Sequence, residues 1–417
     1  MTRADIVVRG ARIFDGAEVI DRGTVIVAGP KISGVLRSDE VIDAETVVDG
    51  TGCTLIPGLT DAHAHPTGDA LALAILFGVT TEYDMFTTPA RLGDQRGQAR
   101  DRNDVADIRS ASTGATVLGG HPSRLIGLSF ADQFPVVAGP ESAAQFVRDR
   151  MAEGADFIKI LIDDGTAMGH PSPTLDEKSA QIIVDEAHAH GLLVVAHATS
   201  VDGALTAVRS GVDGLVHVFI DQPPRDEIIE AVQSAGIFVV PTLVTMGSLT
   251  GELTGQQVAE DERTLGLVPD DWRANMCTCW QLGSPASLAN GKLATAALHR
   301  AGVPILAGTD AADPGVLGTA HGISLHQELQ LLVDSGLSPV EALTAATSAP
   351  AAAFGLHDRG RLVTGRQADM VLVEGDPTVH IADTLSIRSV WRRGVLLNRS
   401  LAPERITASS AALPATA

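Results

Sequence analysis

Between residues 54 and 310 the chain alternates short apolar, β-branched runs with helical patterns. That alternation dictates a parallel sheet, because parallel neighbours need a crossover between them and a helix supplies it. The runs occupy residues 54–65, 78–83, 114–120, 156–162, 192–198, 214–219, 237–243 and 303–310, and the clearest helical patterns are 175–190 and 201–210. Eight such units predict a closed α/β barrel of the TIM type, with its working end at the C-terminal ends of the strands. A doubly wound open sheet is the alternative, but no Gly-rich phosphate-binding turn follows the first strand.

The two ends of the chain read differently. Residues 4–53 carry β-rich runs broken by Gly and Asp, and a matching cluster returns at 360–362, 368–374 and 386–396. The economical arrangement packs both ends as one small β-sandwich into which the rest is inserted. The expected domains are therefore 1–53 and 358–402 for the discontinuous β-sandwich, 54–357 for the barrel, and a disordered Ala/Ser/Thr-rich tail at 403–417. The connection 244–295 is abnormally long and contains Trp272, Met276 and Trp280. A lid over the site and an outer packing layer are both consistent with it.

Composition narrows the partners. A net charge of -21 argues against nucleic acid or an anionic membrane surface, since both are polyanions. No apolar run reaches the length of a membrane span, and the three cysteines form no disulfide framework. A soluble cytoplasmic protein is expected, self-associating as a homo-oligomer and acting on a small-molecule substrate.

Six residues fall at strand ends in the way a metal site requires. His63 and His65, spaced i, i+2, share one face of the first strand. Lys159 lies on the fourth strand, His197 on the fifth, His217 on the sixth and Asp310 on the eighth. Each has an ordinary explanation alone, but together they would have to converge by coincidence on one end of one barrel. His188 and His190 repeat the spacing inside a helical run, where positions i and i+2 point about 200° apart and cannot share an ion.

Lys159 is the most informative of the six. In the run 157–161 it faces the barrel interior, where an ammonium is costly to bury. Desolvation and neighbouring cations favour the neutral, nucleophilic amine, which can add carbon dioxide to become an anionic, bidentate carbamate. A carbamate can bridge two divalent ions held by His63 and His65 on one side and His197 and His217 on the other. Zinc is the metal expected for this ligand set. The competing reading pairs Lys159 with Asp163 or Asp164 and leaves the histidines unexplained.

The segment Pro57-Gly-Leu-Thr-Asp-Ala-His-Ala-His65 is similar to the strand-one motif of the amidohydrolase superfamily, and Gly308-Thr-Asp310 matches its strand eight. His326-Gln-Glu-Leu, Gly336-Leu-Ser-Pro, Glu341-Ala-Leu-Thr-Ala-Ala-Thr and the run from Gly360 through Leu372 resemble its C-terminal signature. The chain thus resembles that superfamily over residues 5–400, in the branch with a carbamylated strand-four lysine and two metals. Within it, the imidazolonepropionase-like and Xaa-Pro/Xaa-basic dipeptidase group is the most similar. The resemblance implies that His63, His65 and Asp310 hold the more buried ion, that His197 and His217 hold the other, and that carbamylated Lys159 bridges them. It also implies attack by a metal-bridging hydroxide on a polarised carbonyl, with Asp310 carrying the proton to the leaving nitrogen.

Substrate contacts are expected from loops after strands three and eight, which brings forward His121, Arg124 and His321. His121 and Arg124 can clamp a carboxylate, as in a dipeptide or N-acyl amino acid. The expected activity is cleavage of an amide-type C–N bond. A lactone, ester or carbamate hydrolase on the same centre is the alternative, and a non-catalytic scaffold the remote one. A mononuclear deaminase is disfavoured by Lys159 and by the absence of an acid at His-x-x-Glu spacing after His197.

Overall fold

The computed structural model describes residues 4–126, 133–282 and 286–400. The expected tail at 403–417 lies outside the described residues. Fifteen strands are described. They are β1 (Ala4–Phe14), β2 (Val19–Ala28), β3 (Lys31–Leu36), β4 (Ala44–Asp49), β5 (Cys53–Pro57), β6 (Leu59–Ala64), β7 (Val79–Asp84) and β8 (Asp107–Ser110). The remainder are β9 (Ile158–Leu161), β10 (Val194–His197), β11 (Gly214–Val216), β12 (Phe238–Val240), β13 (Met370–Glu374), β14 (Ile387–Arg392) and β15 (Val395–Leu396).

The two chain ends do meet. Strands β1–β5 and β13–β15 form one eight-stranded sheet, in the order β15-β14-β13-β5-β1-β2-β3, with β4 also paired to β1. It is a single continuous sheet where two facing ones were expected. Its β3 edge curls back to bond residues 365–368, the lead-in to β13. The curl encloses a core of its own, including Ile13, Val25, Leu55, Met370 and Trp391.

β5 belongs to this terminal sheet, pairing with β1 and β13, so residues 54–57 are not part of the parallel set as the sequence suggested. The chain changes sheets at Gly58. A Cβ there would lie 2.2 Å from Thr80 Oγ1, so only glycine lets the two strands approach this closely.

The inserted segment is parallel throughout. β6, β7 and β8 form one sheet and β9 to β12 another, both parallel. Nearly every residue of these strands is buried, as expected for strands covered on both faces. Three contacts join the sheets into a circuit. Ala115 bridges to Ile160, Val239 to Ile305, and Ala64 to Ala311.

The third strand is 107–110, not 114–120; with two charged residues in four, it reads as a loop in sequence. The eighth, 303–310, contributes isolated bridges instead of a regular ladder. Pro304 lacks an N–H to donate and its carbonyl alone serves the neighbour, accepting from Val239 N.

Helices wrap the outside, as their sequence pattern requires. In Glu177–Ala189, Asp176 caps the first turn by accepting from Ser179 N, and Ala180, Ile183, Val184 and Ala187 point inward at helical spacing. Inside the circuit, Tyr83, Phe157, Val195 and Phe238 pack with Phe354 into a plug. Phe157 and Lys159 lie two apart on β9's lead-in and strand, as do Val195 and His197 on β10. The polar residues therefore project on the same face as the plug, one layer further along.

Among the described residues no helix is long and apolar enough to cross a membrane. Trp391 is 1% exposed in the terminal sheet's core. Trp391→Ala is expected to cost about 3–5 kcal/mol, read as a lower urea midpoint. An unchanged midpoint would show that this core does not contribute to the stability of the fold.

Candidate functional site

The first and last segments of the circuit are tied together by Asp61. Its carboxylate accepts from His63 N (3.1 Å) and Thr309 N (3.0 Å) through one oxygen, and from Thr309 Oγ1 (2.6 Å) through the other. The backbone repeats the tie, with Asp310 N donating to His63 O at 2.7 Å and His65 N to Ala311 O at 2.7 Å. Asp310 is thereby placed opposite the two histidines: its Oδ1 lies 3.2 Å from His63 Nε2 and 3.0 Å from His65 Nε2.

His217 follows β11 with a backbone φ of 71°, and Asp310 has a φ of 61°. Non-glycine residues seldom adopt this left-handed conformation, and here it turns both side chains inward at strand ends. His217 Nδ1 meets Thr242 Oγ1 at 2.7 Å, which fixes the ring and leaves Nε2 free to face the cavity. His63, His217 and Asp310 offer ligand atoms that all lie within 4.8 Å of one another. The rings form a chain, His63 against His217 at 4.6 Å, His217 against His197 at 4.4 Å, and His197 against His121 at 4.6 Å.

Two observations say that this cluster fits a divalent ion. His63 is buried, and neither of its ring nitrogens has a hydrogen-bond partner, although Nε2 sits close to Asp310. Burial, with Lys159 as the next cause, pushes the His63 imidazole down to about 3, so it is a neutral lone-pair donor at pH 7. Burial and then His197 likewise hold His217 well below the ordinary histidine range. Asp310 is held well below the usual carboxylate range, against its burial, mainly by the charge of the adjacent His63, with His65 and His217 adding to it.

Lys159 lines the same cavity and is 3% exposed. Burial lowers its ammonium to about 7, against the attraction of Asp310 and Asp84. The two carboxylates proposed as its ion-pair partners are otherwise engaged. Asp163 accepts from His197 Nε2 (2.7 Å), Thr199 Oγ1 (2.9 Å) and Gly165 N (2.8 Å), while Asp164 caps Thr166.

Residues 54–397, more than four-fifths of the chain, match the amidohydrolase family. The chain belongs to that family. An ochratoxinase of Aspergillus niger is 27% identical over 272 residues, 63% of this chain. The match spans 50% of that relative's length. Among solved structures, a Xaa-Pro dipeptidase with bound methionine superposes at a TM-score of 0.74, with 22% identity, over 94% of this chain and 99% of the other. A molinate hydrolase superposes at 0.75, with 20% identity, over all of both chains. At these identities the structures speak for a shared fold.

In this member of the amidohydrolase family the site opens into a cavity of about 360 Å³. All six strand-end residues line it, as do His121 and Arg124. His121 is pushed down to about 3, mainly by burial and then by His197. His197 stands apart from the tight three-residue group, its Nε2 occupied by Asp163. His321 does not reach the cavity. It is fully buried, with Nδ1 3.1 Å from both oxygens of Glu82 and its ring edge-on to Trp272 at 5.4 Å. The expected substrate contact is therefore corrected to a core ion pair, because the chain after Asp310 turns inward before the helix Ile323–Asp334 begins.

The long connection divides its roles. Trp272 and Met276 are buried in an outer layer, which Asn275 ties to Gly315, Val316 and Thr319. Thr245, Met246 and Leu249 of the helix Leu243–Leu249, then Trp280 and Leu282, line the cavity. Arg91 and His170 also line it, and neither stood out in sequence because neither lies on a strand.

Gly308 sits in the tie itself. An added Cβ would meet Val240 Cγ1 at 2.5 Å and His63 N at 2.8 Å. Gly308→Ala should destabilise the chain by about 1–3 kcal/mol and weaken divalent-metal binding, since the carbon pushes against the backbone that carries His63. Calorimetric titration of the metal-free protein with zinc, beside a thermal melt, checks this. Wild-type affinity and melting temperature would show that the tie tolerates displacement.

Proposed function

We propose that this chain is a metal-dependent hydrolase that cleaves an amide-type C–N bond in a small substrate, on a (β/α)8 barrel carrying two divalent ions. The observation that carries the reading is the convergence of His63, His217 and Asp310, with both His63 nitrogens unpartnered, beside a buried lysine of lowered basicity. His63, His65 and Asp310 would hold one ion, His197 and His217 the other, and Lys159 as a carbamate would join them. Ions bound there supply activation of water near neutral pH and polarisation of the scissile carbonyl.

The chain's own residues do the rest. Asp310, ionised at neutral pH, takes the proton from the attacking water on its carboxylate and returns it to the leaving nitrogen. Thr242 keeps His217 in one orientation, and Asp163 does the same for His197. Met85, Phe86, Leu161, Met246 and Leu249 make apolar walls that exclude water, while Arg91 and Arg124 supply cations within the same cavity. That combination suits an apolar body bearing a carboxylate, as in an N-acyl amino acid or a dipeptide. The names of the similar ochratoxinase and Xaa-Pro dipeptidase agree with an amide-type substrate.

The decisive substitutions are at Lys159. Lys159→Ala should fold but bind metal at least about a hundredfold more weakly, beyond the loss typical of a supporting residue, and lose nearly all hydrolysis. Lys159→Arg should fail as well, because a guanidinium stays charged and adds no carbon dioxide. With a lysine near 7, the carbamate should form increasingly as pH rises from 6 to 8, where the amine becomes neutral. NMR with labelled bicarbonate reads this directly. Near-normal turnover in Lys159→Arg would overturn the bridge.

Trp280 carries a second prediction. Its indole Nε1 is buried without a partner, next to the cavity. Trp280→Phe, which keeps an aromatic ring and drops the donor, should raise KM by about tenfold at most with metal content unchanged. An unaltered KM across a panel of N-acyl amino acids and dipeptides would remove Trp280 from the substrate's surroundings.

A further inference from the structure

At the opposite end of the parallel circuit from the metal cluster lies a second, larger recess of about 640 Å³. It opens in the seam between the terminal sheet, strand β8 and the helix Pro89–Asp101. Seven basic side chains line it against two carboxylates, Asp107 and Asp358. In a chain of net charge -21 this concentration runs against the composition of the whole molecule.

The carboxylates present do not neutralise the cluster. Asp107 alone faces three guanidinium groups, Arg359 at 2.5 Å, Arg109 at 3.4 Å and Arg392 at 3.7 Å. Arg359 shares Asp358 and is satisfied. Arg392 and Arg393 turn partly to backbone carbonyls at the end of the helix, donating to Ala99 O and Arg102 O, where the helix dipole favours cations. Arg109 is left with the poorest partners. Besides Asp107 it has Asp156 at 3.9 Å, and Asp156 is already held by Arg96 at 2.6 Å. The Nε atoms of Arg109 and Arg393 are both buried with no hydrogen-bond partner. Arg100, bonded to Asp101, and Lys31 stand at the rim.

Guanidinium groups that outnumber the carboxylates facing them are what a multiply charged oxyanion satisfies, through paired N–H donors and charge together. We propose that this recess binds a small molecule carrying a phosphate group, with Arg109 as its principal contact and Lys31 at the entrance. The concave seam and its volume suit a compact anion more than the protruding surface of a macromolecule. Because the site's walls come from both the terminal sheet and the parallel segment, an occupant would clamp one to the other and stabilise the whole chain.

The test uses the full chain with its metals, at constant ionic strength set with sodium chloride. Inorganic phosphate, pyrophosphate and ADP are each titrated calorimetrically and in thermal melts. Saturable binding with a raised melting temperature is expected for at least one. Equal affinity for phosphate and ADP would indicate free phosphate as the occupant; tighter pyrophosphate or ADP would indicate a phosphorylated compound with more than one anionic group. Arg109→Gln should weaken binding about tenfold or more, and Lys31→Gln, at an exposed position that cannot threaten folding, should weaken it to a lesser degree. Hydrolysis and metal content should be unchanged in both. The proposal is overturned if none of the three anions exceeds chloride, or if neither substitution changes the affinity, which would place any binding elsewhere. It is equally overturned if Arg109→Gln dissociates an oligomer while the wild type binds no anion, since a second acidic copy would then be the occupant.

Discussion

The arrangement depends on how the parallel circuit closes. The last segment, 303–310, has no regular ladder, and its hold on β6 combines a few backbone hydrogen bonds, among them Ala62 N to Ala307 O, with one buried carboxylate. Asp61 takes two donors from Thr309 and one from His63, and the backbone of Asp310 bonds back to His63. Burial and the neighbouring Glu82 raise Asp61 to about 7, so its three hydrogen bonds are what keep an anion tolerable there. This tie sets the distance between His63, His65 and Asp310. The convergence of these three side chains therefore depends on how the first and last parallel segments are joined, as well as on the i, i+2 spacing of the histidines.

A second layer of buried acids supports the same wall. Glu82 holds His321 behind β7, and Glu328 accepts from the backbone N–H groups of Leu243 and Val244, anchoring the helix that brings Thr245, Met246 and Leu249 to the cavity. Burial pushes Glu328 up to about 8 despite those two bonds. Such groups are expensive to desolvate and are retained where orientation matters more than stability. The molecule thus places its costly polar residues behind the site, where they hold strands in register, and its apolar residues around the cavity.

Sequence alone went far for the strands whose ends line the cavity, because an imidazole or lysine inside an apolar run is conspicuous. Lys159, His197 and His217 were legible for that reason, and His63 and His65 from their i, i+2 spacing. The helices 177–189 and 201–209 were legible from their periodicity. What failed did so for physical reasons. Strand β8 spends two of its four residues on Asp107 and Arg109, which face the charged seam, so it resembles a loop. His321 looked like a loop residue near the site, but its ion pair with Glu82 depends on a tertiary contact 239 residues away in sequence. Asp61, one residue from an alanine and two from His63, carried a signal that was available: an acid within a wholly buried strand demands partners.

In the proposed arrangement the strand-end residues hold two ions with Lys159 between them. Anomalous diffraction at the zinc edge, on crystals of the zinc-loaded protein, tests it most directly. Two peaks are expected, one bounded by His63, His65 and Asp310 and the other by His197 and His217, with continuous density from Lys159 to both. A single peak, or two peaks beside an unmodified Lys159, would contradict it.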